Sequence, residues 1–204
     1  MYQNDAQKVL TGEVRLSYCN LIQPRAPMNG QGDPKYSVTL LIPKSDYATK
    51  ADIDASIEAA AGDATAKMWG GVRPQFASIV WDGDGVRKNG MPFGDECKGH
   101  WVLTASTKQK PHVVGFDNIN VDLAPQDIYS GMYARVTLRF YGFNQNGNRG
   151  VGCGLGNVMK TREGEALAGG ASAASDFAGV GNAVAPSVDP ITGRAINPIT
   201  GQPM

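Results

Sequence analysis

Cysteine is scarce in this sequence, and its scarcity argues against a disulfide framework. The three cysteines, Cys19, Cys97 and Cys153, are an odd number and show no short repeating spacing. Such usage is typical of a protein in a reducing cytosol. Cys97 and His100 have the spacing of half a zinc site, but no second half follows, so we predict neither a bound metal nor a cofactor.

Long apolar runs are also missing. No stretch approaches the ~20 apolar residues that a membrane-spanning helix needs, and residues 1–5 have neither the charged nor the apolar region of a signal peptide. We therefore expect an intracellular protein without membrane partners. The net charge at pH 7 is zero, so no overall basic field attracts nucleic acid.

The positive charge is nevertheless unevenly distributed along the chain. Between Lys98 and Arg162 the sequence has eight basic and three acidic residues, a net charge of +5. This third of the chain also contains the most regular β-pattern, residues 131–143.

Residues 131–143 alternate with period two, which predicts a β-strand with two different faces. One face carries apolar side chains that belong in a core: Ala134, Val136, Leu138 and Phe140. The other face interleaves arginines with aromatic rings: Tyr133, Arg135, Thr137, Arg139, Tyr141 and Phe143. Because phosphates bind cations and unstacked bases bind flat rings, this face is a candidate surface for single-stranded nucleic acid. A second explanation remains: the segment is a barrel strand whose outer rings are covered by a loop or by another subunit.

Shorter alternating segments predict further strands at 9–22, 35–42, 76–81, 100–108 and 112–116. The first of them is expected to direct three residues to one inner face: Val14, Leu16 and Tyr18. A single helix is predicted after the second strand, beginning with a capping box at Thr49. Its apolar stripe has helical spacing: Ile53, Ile57, Ala60, Ala61, Ala64 and Met68.

The strand that follows the turn at 144–148 has glycine at every second position: Gly150, Gly152, Gly154 and Gly156. All four lie on one face. Such a face either lets a ligand or another backbone approach closely or belongs to a sharply coiled barrel strand.

Six or so strands with one helix predict a mainly β fold, a small closed or partly open barrel. The oligonucleotide-binding (OB) barrel is the best match among such folds. The predicted organisation is a loose N-terminus at 1–8, the barrel at 9–164, and a flexible tail at 165–204 rich in Ala, Gly, Ser and Pro.

The sequence resembles a family of phage-encoded single-stranded DNA-binding proteins with an OB fold. The resemblance covers roughly residues 8–165, and its most specific piece is Tyr129-Ser130-Gly131. It is carried by several segments: 36–46, 81–84, 103–106, 128–135, 140–143, 148–151 and 154–158. It implies sequence-tolerant binding of single-stranded DNA and a role in phage DNA replication or recombination in the host bacterial cytoplasm.

We predict eight DNA-contacting residues from the face argument. Bases are expected to stack on Tyr133, Tyr141 and Phe143. The DNA backbone is expected to follow five cations: Lys108, Lys110, Arg135, Arg139 and Arg149. Further candidate partners are a second copy of the chain, as in a dimer, and phage replication proteins. Many replication proteins of this kind recruit partners through an acidic tail, whereas residues 166–204 contain two aspartates and one arginine, a net charge of −1.

No catalytic constellation is recognisable, so we predict that the protein is not an enzyme. Asp82 and Asp84 lack a third carboxylate for a nuclease metal site, and a turn is the better explanation. The glycines at 150–156 match no dinucleotide fingerprint. The alternative to DNA binding is a structural or protein-interaction β-barrel.

Overall fold

The computed structural model describes residues 2–27, 32–145 and 147–167. Within these ranges the chain forms one helix, eight strands and two 3-10 turns, at Asp95–Cys97 and Pro125–Asp127. The helix is α1 (Tyr47–Lys67) and the strands are β1 (Lys8–Leu10), β2 (Val14–Arg25), β3 (Lys35–Pro43), β4 (Val80–Asp82), β5 (His100–Thr107), β6 (Val113–Gly115), β7 (Tyr133–Gln145) and β8 (Asn148–Arg162). The predicted tail lies, from residue 168 onward, outside the described residues.

Five of the strands close into a ring. The antiparallel pairs are β7–β2, β2–β3, β3–β5 and β7–β8, and β5 completes the ring by pairing with β8 in parallel. This last pairing has a single register pair, Ser106 with Gly154, so the barrel is uneven. A five-stranded, partly open ring is the architecture of an OB fold, and the predicted fold class is confirmed.

The remaining three strands extend the ring at its sides. β1 lies against β7, β4 against β5, and β6 against β8. The first of these brings the N-terminal residues onto the barrel, where Lys8 pairs with Arg139 and the carbonyl of Gln7 accepts a hydrogen bond from Phe140 N.

The barrel interior is filled by one face of each strand. The predicted inner residues of β7 are all at most 1% exposed: Ala134, Val136, Leu138 and Phe140. Burial of each large apolar side chain stabilises the fold by about 1.5–3 kcal/mol. The alternation of β7 therefore fixes which of its side chains face outward.

Helix α1 packs against this interior. It begins one turn earlier than the capping pattern predicts, because the Asp46 carboxylate accepts a hydrogen bond from Thr49 N at 3.0 Å. Its buried residues include Ile53 and Ala64. Met68 was predicted to complete the stripe, and that is wrong: the helix ends at Lys67 and Met68 is 48% exposed. No helix in the described ranges combines the length and apolar character that crossing a bilayer requires.

A bulge in β2 corrects the predicted inner position of Tyr18. The pairing of β2 with β3 shifts register between Ser17 and Asn20, and Tyr18 has a positive φ of 48°. Since one extra residue reverses the alternation of a strand, Leu21 returns to the core in its place. Tyr18 is consequently 57% exposed.

The alternating glycines of β8 make room for aromatic rings of β7. Tyr141 lies opposite Gly152, and Phe143 lies opposite Gly150. A Cβ on Gly152 would lie 2.8 Å from Tyr141 Cζ, and one on Gly150 would lie 3.0 Å from Phe143 Cζ. The space that these two glycines leave is therefore occupied by the chain's own rings.

Candidate nucleic-acid interface

The first candidate surface is the outward side of β7 together with the glycines of β8, which we call the β7–β8 face. It contains the interleaved residues singled out by the sequence: Tyr133, Arg135, Thr137, Arg139, Tyr141 and Phe143. The two ends of this face differ in how many of their side chains form contacts within the chain.

At the first end, the ring and the guanidinium are both engaged by the chain. The Arg162 guanidinium lies 3.3 Å from the centroid of the Tyr133 ring, and its Nε donates a hydrogen bond to Glu13 at 2.9 Å. Arg135 Nε donates to the carbonyl of Thr11 at 3.0 Å. A base could stack on this side of Tyr133 only after displacing Arg162.

The second end of the β7–β8 face is more open. Tyr141 is 43% exposed and Phe143 is half-buried. Arg139 is exposed, but its Nη1 forms an ion pair with Asp5 at 2.8 Å. This end therefore presents flat rings, while its central cation already has an anionic partner.

The other three predicted cations are not all brought to this face. Lys108 follows β5 and is ion-paired with Asp33, and Lys110 lines a small depression at the same end of β5. Arg149 lies near the start of β8, close to the rings, with Nη1 3.5 Å from the carbonyl of Trp69. Contact between DNA and any of the eight residues stays a prediction.

A second surface was not identified from the sequence. It is a depression of about 300 Å³ on the outside of the barrel, which we call the β2–β3–β5 groove. Its lining residues are Ser17, Tyr18, Thr39, Trp81, Arg87, Lys88, Phe93, Cys97, Val102 and Thr104. An adjoining depression of about 310 Å³ shares Ser17 and Tyr18 with it and includes Arg25.

The groove exists because the loop between β4 and β5 folds over the outer side of the barrel. Leu41 and Val102 point outward from β3 and β5, and Cys97 from the loop packs on them. Trp81 and Phe93 are partly buried against the same three residues. This small second core holds two aromatic rings at the edge of the groove.

The base of the loop is fixed by charge. Lys44 Nζ contacts both Asp82 and Asp84, and Asp84 also accepts a hydrogen bond from Gly99 N at 2.9 Å. These bonds raise the pKa of Lys44 and lower the pKa of both carboxyl groups. The two aspartates are thus paired internally and stabilise a turn, as the sequence predicted.

The cations of the groove are not neutralised. Arg87 and Lys88 are exposed and form no ion pair within the described part of the chain, and the Arg87 guanidinium lies 5.2 Å from the centroid of the Phe93 ring. None of the described residues that line the groove is a carboxylate. The groove therefore combines free positive charge with flat rings, which are the two chemical features that single-stranded nucleic acid needs.

The cysteine at the groove floor is not a reactive group. Burial raises the pKa of the Cys97 thiol to about 11, so it is protonated at neutral pH. Burial likewise raises the pKa of Cys19 to about 12.

The signal that could have identified the groove is present in the sequence. Trp81 is followed by two adjacent cations, Arg87 and Lys88, and then by a second aromatic residue, Phe93. They lack period-two spacing, so they show only a loop until the fold brings them onto the barrel.

Comparison with known proteins gives a consistent picture. The family model of the single-stranded DNA-binding protein of Enterobacter phage Enc34 matches residues 7–186. A relative, "Putative protein p50" of Acyrthosiphon pisum secondary endosymbiont phage 1, is 33% identical over an alignment of 175 positions. The match covers 80% of this chain and 88% of that protein.

Solved structures with the same fold come from phages as well. The single-stranded DNA-binding protein from bacteriophage Enc34, in complex with single-stranded DNA, matches with a TM-score of 0.67 and 25% identity over 80% of this chain and 91% of that chain. The single-stranded DNA-binding protein gp2.5 of bacteriophage T7 has a TM-score of 0.50 and 15% identity over 81% of this chain and 97% of that chain, a likeness in fold alone.

Proposed function

The chain belongs to the family of the Enterobacter phage Enc34 single-stranded DNA-binding protein, and from this premise we propose that it binds single-stranded DNA in the β2–β3–β5 groove. The observation that carries the choice of surface is the availability of charge. Arg87 and Lys88 have no anionic partner in the described part of the chain, and they lie beside the rings of Trp81 and Phe93.

The groove explains how binding tolerates different sequences. Phosphates bind Arg87 and Lys88, while bases stack on Trp81 and Phe93, and every base has a flat face on which to stack. Each stacked base contributes about 1–3 kcal/mol. Each phosphate neutralised on a single strand adds about 0.7 to the log–log dependence of affinity on salt.

The β7–β8 face is the competing surface for the same function. Arg139, Tyr141 and Phe143 are accessible there, whereas Tyr133 and Arg135 must first give up their contacts within the chain. We rank this face second because binding a phosphate at Arg139 requires opening its ion pair with Asp5.

In the cell, we propose that the protein coats single-stranded phage DNA in the host bacterial cytoplasm during replication or recombination. A second copy of the chain and phage replication proteins are the candidate protein partners. We propose no catalytic role, and a labelled oligonucleotide should stay intact when it is incubated with the protein and Mg²⁺.

The test is a fluorescence titration with dT oligomers of graded length at several salt concentrations. We expect salt-sensitive quenching of tryptophan emission and a much weaker signal with a duplex of equal length. Absence of binding to every oligomer at low salt would contradict the proposal. Sedimentation of the Tyr141→Ala variant tests the alternative of a structural or protein-interaction barrel. Under that alternative the variant would sediment as a smaller species and its affinity for dT would be unchanged.

A further inference from the structure

Tyr18 has a backbone conformation that its residue type disfavours. Its φ of 48° lies in the left-handed region, where glycine and asparagine are tolerated and bulky residues are rare. The other described non-glycine residues with positive φ, Gln3 and Asn4, lie in a turn near the N-terminus. Tyr18 instead lies inside β2, at the bulge.

The bulge is held in place by neighbours that do not involve the tyrosine ring. Asn20 Nδ2 donates hydrogen bonds to the carbonyl of Tyr18 at 3.1 Å and to Ser37 Oγ at 3.2 Å. Cys19 N donates to Ser130 Oγ at 3.0 Å. These three hydrogen bonds determine the backbone, so a residue suited to the left-handed region could occupy position 18 without altering the fold.

The ring itself is placed on the wall that the two depressions share. Tyr18 lines both the β2–β3–β5 groove and the adjoining depression that contains Arg25. It is more than half exposed and is absent from both buried clusters of the barrel. The strain therefore contributes nothing to the core. Its effect is to present an aromatic ring to solvent, with Arg87 and Lys88 lining the depression on one side and Arg25 and Glu96 the depression on the other.

We propose that Tyr18 is a base-stacking residue, presented by the strained bulge, over which single-stranded DNA passes from the groove to the Arg25 depression; this inference rests on the proposed function. Strained backbone is retained where it positions a functional group. A single strand of DNA that spans both depressions must cross the wall that they share, so one of its bases lies on the Tyr18 ring. The phosphate on one side of that base reaches Arg87 or Lys88, and the phosphate on the other side reaches Arg25.

The test is the variant Tyr18→Asn, which removes the ring and suits the left-handed backbone. We expect its dissociation constant for a dT oligomer to rise about tenfold and its melting temperature to rise by about 2–4 °C. Tyr18→Phe keeps the ring and should bind like the wild type. Tyr47→Asn removes an equally large ring that is 79% exposed at the start of α1, and it should change neither quantity much.

The outcomes separate this inference from the proposed function. If the wild type fails to bind dT oligomers, the proposed function is wrong. If the wild type binds and Tyr18→Asn binds equally well, Tyr18 is not a stacking residue and the inference is overturned. A fall in the melting temperature of Tyr18→Asn would also overturn it, because the ring would then have a structural role.

Discussion

The two outer surfaces of this barrel contain similar residue types but differ in whether their cations are available. On the β7–β8 face, Arg135 is bonded to a carbonyl and Arg139 to Asp5. In the β2–β3–β5 groove, Arg87 and Lys88 have no carboxylate partner within the described residues. An alternation of arginines and rings is thus insufficient to define a binding surface, because an ion pair formed within the protein withholds charge from a ligand.

The largest effect should come from removing the free cations. We expect Arg87→Ala with Lys88→Ala to weaken binding of a dT oligomer and to flatten the log–log salt dependence by about 1.4, if each residue neutralises one phosphate. Titrations at four or more salt concentrations measure the slope.

The matched control is Arg139→Ala with Arg149→Ala, which removes a cation of the β7–β8 face and a second one at the start of β8. Its slope should equal that of the wild type. If the log–log salt dependence flattens in this control but not in the groove variant, the β7–β8 face and not the groove is the main DNA-binding surface.

The next effect concerns the rings. Phe93→Leu keeps the apolar contacts with the second core and removes the flat ring, so affinity should fall by about 1–3 kcal/mol, the contribution of one stacked base. Tyr141→Leu is the equivalent change on the β7–β8 face and should have little effect. Equal losses in the two variants would indicate that DNA touches both surfaces.

The glycines of β8 give a prediction about stability. A Cβ at Gly152 would lie 2.8 Å from Tyr141 Cζ, so Gly152→Val must displace the ring or the strand. We expect the free energy of unfolding to fall by about 1–3 kcal/mol, as in overpacked sites, measured by urea denaturation. Gly147→Val, at the hairpin turn, would strain a φ of 83° without any steric clash and serves to separate the two causes. Recovery of stability in Gly152→Val combined with Tyr141→Ala would assign the loss to the ring.

The smallest expected effect tests why Arg139 on the β7–β8 face is not expected to bind DNA. Asp5→Asn removes the charge opposite Arg139 and retains the side-chain oxygen that accepts a hydrogen bond from Gln7 N. If the ion pair alone keeps Arg139 from DNA, the salt slope should steepen by at most about 0.7. A large gain in affinity would mean that this face competes with the groove in the native protein.

The helix and most of the strands were predictable because their patterns are local. The strand predicted at 76–81 is the exception, since only β4 (Val80–Asp82) forms there. The inner set of β7 and the apolar stripe of α1 follow from periods of 2 and 3.6. The structure buries both except for Ile57, which is partly buried, and Met68, which is exposed. The bulge at Tyr18 was not predictable, since one inserted residue leaves no mark in the alternation except a reversal that resembles an imperfect strand.

The availability of the candidate site residues could not be predicted either. The ion pair of Arg139 joins residues 134 positions apart in the sequence, and no local pattern specifies it. The groove likewise depends on outward residues of β3 and β5, and Cys97 of the loop that covers them is more than fifty positions from β3 in the sequence. The sequence therefore shows which cations and rings are candidates for DNA binding, whereas the residues that pair with them are determined only when the barrel folds.

The most direct test of the account is photo-crosslinking of a dT oligomer that contains a halogenated uracil, followed by mass spectrometry of the crosslinked peptides. Such bases crosslink to aromatic side chains on which they stack. The account predicts crosslinks at Tyr18, Trp81 or Phe93. Crosslinks confined to Tyr141 and Phe143 would contradict it and would place the DNA on the β7–β8 face.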